Sequence, residues 1–93
     1  MNYRDLAKQI NKRLKLSHEL SIKKSTSQER KADDEEFLRL WYELNELGEM
    51  TTEQYIEFKK LCPFLEAFCM VASGIEWDRK RAENEVTNDR QDL

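Results

Sequence analysis

Few residues in this chain are of types that do chemistry. They are one histidine, His18, two cysteines, Cys62 and Cys69, and a run of four carboxylates, Asp33-Asp34-Glu35-Glu36. Acid–base catalysis needs a positioned partner and a buried cleft, and His18 lies in a polar stretch beside Glu19 with neither in view. The cysteines sit among Leu61, Pro63, Phe68 and Met70 and read as small core hydrophobes. Seven residues apart on one helix, they would be about 10 Å from each other, beyond disulfide reach. Two cysteines with a histidine in a distant segment make no zinc pattern. A calcium loop needs alternating acids and a glycine turn, whereas Asp33–Glu36 is a continuous run that suits a helix N-terminus. Gly48 and Gly74 are isolated, so no phosphate-cradling loop exists. The expectation is a protein that is not an enzyme and takes no cofactor or metal.

Charge offers a second kind of chemistry. Residues 1–31 hold nine Lys or Arg against three Asp or Glu, and residues 32–93 hold seven against sixteen. A basic segment of this kind is the footprint of sequence-independent nucleic-acid binding, with Arg4, Lys8, Lys12, Arg13, Lys15, Lys23 and Lys24 as the contacts. Against it, Tyr3 is the one aromatic in the segment and arginine is sparse, so stacking and bidentate base contacts are poorly supplied. The chain as a whole is acidic, at net −3. Membrane association is weaker still. The basic N-terminal stripe carries no Trp or Phe, no run approaches eighteen apolar residues, and the opening Asn2-Tyr3-Arg4-Asp5 is unlike a signal peptide. A cytoplasmic location is the expectation.

The aromatic residues point to a third kind. Eight of nine lie between Phe37 and Trp77. A hairpin of this size cannot enclose all of Trp41, Tyr42, Phe58, Phe64, Phe68 and Trp77. The adjacent Trp41 and Tyr42 diverge by about 100° on a helix. Aromatics left on a surface are the side chains that carry interface energy. The reading that uses most features is a non-catalytic helical protein-binding module contacting its partner through Trp41, Tyr42, Phe64, Phe68 and Trp77. It would dock on a larger protein, or on a second copy, as an inhibitor, adaptor or regulator of the sort phages and mobile elements encode. A nucleic-acid-binding regulator using residues 1–31 is the alternative.

The elements that must position these residues are helices. Two glycines, one proline and no alternating β-branched run leave little room for strands. The pattern predicts a small all-α bundle. Its basic amphipathic first helix covers about 3–16, with Asn2 as cap and Tyr3, Leu6, Ala7, Ile10 and Leu14 as its apolar stripe. A solvated Ser/Lys linker follows over 17–32. Ser25 or Thr26, with Gln28 and Glu29 three residues on, offers an early cap, but the acidic run favours a second helix beginning near Asp33. That helix and the next, about 34–47 and 52–86, form an antiparallel hairpin. Gly48 ends the first arm, and Thr51 with Gln54 caps the second. Pro63 either breaks the second arm or kinks it. The domain division is therefore 1–32, a helical core over 33–86, and a disordered tail over 87–93.

Overall fold

Asn2 starts the first helix, α1 (Tyr3–Ile22), by accepting the Arg4 backbone N–H on its side chain at 2.8 Å. The molecule is a computed structural model that describes residues 2–91, with side chains as far as Glu83. The expected linker over 17–32 is largely helical. α1 runs six residues past Leu16, where Ser17 and Leu20 line a cleft with Arg30 and Asp33 of α2 and Ser21 turns its hydroxyl onto the His18 carbonyl at 2.7 Å. A serine bonded back to its own helix no longer competes with the helix.

Four residues, Lys23 to Thr26, then reverse the chain into α2 (Ser27–Leu47). The earlier of the two capping signals is the one used. Thr26 accepts the Glu29 N–H at 3.1 Å and Glu29 accepts that of Thr26. The carboxylates expected at the N-terminus stand well inside α2 instead, and cations from three helices neutralise them. Asp33 takes Arg13 of α1, Glu36 takes Arg39 of its own helix, and Glu35 takes Arg79 of α4. That distribution is the reason an acidic run can lie mid-helix.

Gly48 ends α2 at φ +77°, where a side chain would be strained. Thr51 and Gln54 form the expected reciprocal box at the start of α3 (Thr52–Leu61). Cys62 then leaves the helix at φ −136°, ψ 80°, outside the helical region that a following proline disfavours. The Leu65 N–H reaches the Cys62 carbonyl at 3.3 Å, and the Phe68 N–H reaches that of Phe64 at 3.1 Å. Pro63 therefore occupies a turn between two separate helices, the second being α4 (Leu65–Gln91). α4 continues past its expected end near Glu85. The tail expected to be disordered over 87–93 lies outside the described side chains.

Packing is all-α, as expected. The Arg13–Asp33 and Gln9–Arg39 contacts make α1 and α2 antiparallel. Phe68 against Phe37 and Trp41, with Arg79 against Glu35, makes α2 and α4 antiparallel. α3 lies chiefly on α1, held where Tyr3 and Arg4 both donate to the Glu57 carboxylate at 2.6 Å. The core joins Leu6, Ala7 and Ile10 of α1 to Phe37, Leu40, Phe58, Cys62, Leu65, Phe68 and Ala72. The basic helix is thus part of the core. The thin dimension, 19 Å, is two helix layers.

Candidate protein-docking surface

α4 is apolar nearly all round over its first three turns. Between Leu65 and Ile75 it carries one charge, Glu66, in its first turn. A helix of that composition is normally buried on every side. Here one face, with Leu65, Phe68 and Ala72, is buried in the core. Much of the remainder is open, with Met70 at 75% exposure, Val71 at 46% and Trp77 at 68%, and Phe64, in the turn just before the helix, is 67% exposed.

These residues divide between two surfaces. On the side toward α1, Phe64 and Ala67 meet Leu14 and, with Asn11, Lys15 and His18, line a groove of about 440 Å³ whose exposed lining is chiefly apolar. The Pro63 turn sets the place of Phe64. Asn11, Leu14, Lys15 and His18 recur at helical spacing, so one face of α1 supplies a whole wall. On the outward side, Met70, Ser73, Gly74 and Trp77 follow one another at three- and four-residue steps. Phe64 and Trp77 are thirteen residues apart on different sides of α4 and do not share a patch.

Of the aromatics expected to bind a partner, Tyr42, Phe64 and Trp77 are exposed. Trp41 is half-buried, tilted against Phe68 with ring centres 6.4 Å apart. Phe68 is a correction. It is fully buried, stacked on Phe37 at 5.6 Å, and cannot reach a partner. Met70, Val71 and Ala67 were missed as surface residues. The signal for them was present in the two parallel apolar rhythms of α4, only one of which a core can use.

The basic residues are also redistributed. Arg13 is half-buried and paired with Asp33 at 2.8 Å, and Arg4 is held by Glu57. Both arginines expected to meet nucleic acid are thus engaged in ion pairs within the chain. Lys8, Lys12 and Lys15 remain exposed along α1, with Lys23 and Lys24 at its end.

Electrostatics elsewhere is structural. Hydrogen bonds from Tyr3 and Arg4 hold the Glu57 carboxyl below its ordinary range, and the bond to Arg79 does the same for Glu35. Lys59 lowers Glu66 in turn, tying the end of α3 to the start of α4. Burial raises Asp34, and burial raises both thiols, the opposite of what a nucleophilic cysteine needs. Both cysteines are free. Among the described residues no cluster of His, Cys, Asp and Glu is placed to hold a metal, and no helix is long and apolar enough to cross a membrane. Comparison with protein-family models, with curated proteins and with solved structures finds no match.

Proposed function

We propose that the chain is a non-catalytic helical module that docks on a larger protein through the groove between α1 and α4, acting as an inhibitor, adaptor or regulator. The observation that carries this reading is the open apolar groove of Leu14, Phe64 and Ala67, with Phe64 two-thirds exposed at a fixed turn. The turn fixes the Phe64 backbone, which lowers the conformational entropy lost when its ring is bound. Lys15 stands at the groove and Lys8 and Lys12 line the same helix, so the complementary partner is an amphipathic segment with acidic flanks.

The test is capture from a lysate of the native host by the immobilised full chain, with and without nuclease, using Phe64→Ser and Lys15→Glu as comparisons. The expected result is a nuclease-resistant partner that Phe64→Ser loses at unchanged melting temperature and Lys15→Glu loses more steeply as salt rises. Capture that vanishes with nuclease, and with Lys8, Lys12 and Lys15 replaced, would favour the nucleic-acid reading. A partner indifferent to Phe64→Ser would remove the groove from the account.

A further inference from the structure

We infer that two copies of this chain pair antiparallel along the outward stripe of α4. This stripe faces away from α1 and shares only Ala67 with the α1–α4 groove, so the inference stands whether or not the groove binds. Ala67, Met70, Gly74 and Trp77 are all exposed and spaced three, four and three residues apart, the a and d positions of a helix-pairing seam. Gly74 is the unusual member. Mid-helix glycine destabilises a helix, and beyond its chain neighbours and its own helix backbone nothing among the described residues lies within 4 Å of where its Cβ would stand. Nothing inside the monomer therefore requires a glycine there, whereas a second helix backbone in close approach would.

The occupant is argued from shape and charge. Antiparallel pairing about this stripe sets Met70 over the second copy's Gly74 and Trp77 over its Ala67, a small residue opposite each bulky one. It also brings Glu66 at one end toward Lys80 at the other, twice over, and Val71 toward its own copy near the two-fold axis. Parallel pairing would instead oppose Glu66 to Glu66 and Lys80 to Lys80. Both charged side chains are about two-thirds exposed. Their present bonds, to Lys59 and Glu76, are surface pairs that exchange readily.

The experiment is sedimentation equilibrium of the full chain from about 1 μM to about 1 mM, with Gly74→Leu, Trp77→Ser and Phe64→Ser. The wild-type chain should move from 11.2 kDa toward twice that mass as concentration rises. Gly74→Leu should weaken self-association about tenfold or more while raising the melting temperature of the dilute monomer, since leucine favours the helix. This outcome cannot be mistaken for misfolding. Trp77→Ser should weaken pairing likewise, and Phe64→Ser should leave it intact. A chain monomeric throughout the range, as expected if the stripe serves a different protein, would overturn the inference. So would a Gly74→Leu chain that dimerises as tightly as wild type.

Discussion

Replacing Pro63 by alanine should cost a small, definite amount of stability and leave the two helices separate. Proline at this turn narrows the unfolded ensemble, and its removal from a compatible site costs about 0.4–1 kcal/mol. Alanine also lifts the restriction on Cys62 and returns up to about 3 kcal/mol to a form in which α3 and α4 fuse. Packing opposes that fusion. A straight helix swings α3 off α1, exposing Phe58 and Cys62, both fully buried, and parting Glu57 from Tyr3 and Arg4. Phe58 burial, worth about 1.5–3 kcal/mol, offsets most or all of that gain, and the burial of Cys62 with the Glu57 hydrogen bonds tips the balance toward separate helices. Thermal unfolding followed by circular dichroism should therefore show a melting point lower by about 2–8 °C with nearly unchanged helical signal. Because Phe64 keeps its place, binding at the groove should persist. A variant that gains helix and melts higher would mean that the proline, and not the burial of Phe58, holds the bend. The reasoning would then fail.

The Arg13–Asp33 pair and the acid response give two further expectations. Arg13→Met strands a carboxylate that is 8% exposed, and the loss should be near about 3 kcal/mol by urea unfolding, the low end for a broken buried pair because Arg13 keeps some solvent. Arg4→Met, at the exposed Glu57, should cost far less, and equal losses at the two sites would contradict the assigned burial. Glu57, Glu35 and Glu66 all have depressed folded pKa values, so their contribution is present above the unfolded value of 4.5 and fades as pH falls through the folded ones. Asp34 is raised above 3.8 and works in the opposite sense, becoming less costly as it protonates. Three against one, the melting temperature should fall between about pH 5 and about pH 3, less steeply in Glu57→Gln, and a flat or rising profile would refute these pairings.

Some of this fold was legible in the residues because its causes are local. Gly48 needs only its own backbone angle, and Thr51 with Gln54 closes a hydrogen-bonded ring within four residues. The start of α2 was not legible for the opposite reason. Two capping signals stand in series, Thr26 with Glu29 and the acidic run from Asp33, and either is chemically adequate. The choice between them is made by Arg13, twenty residues upstream, whose charge is satisfied only if Asp33 is already helical and facing α1. The stretch from Ser17 to Ile22 is similar. Its serines and lysines read as solvent-loving until Leu20 finds a partner helix.

The surface was half-legible, and the reason is physical. Periodicity shows that a helix has an apolar stripe but cannot say which of two stripes turns inward. On α4 the decision is made by Phe37, which meets Phe68 and so assigns that stripe to the core. Phe64, Met70 and Trp77 are then left outside by rotation and not by composition. An aromatic surplus is therefore evidence that some apolar surface stays open, while its location follows only from the packing of the other face. The same logic gives Gly74 its weight. A buried glycine explains itself through a close neighbour, and an exposed mid-helix one does not. Its conformational cost and the uncovered side chains on either side of it are what the proposed pairing of two α4 helices would explain together.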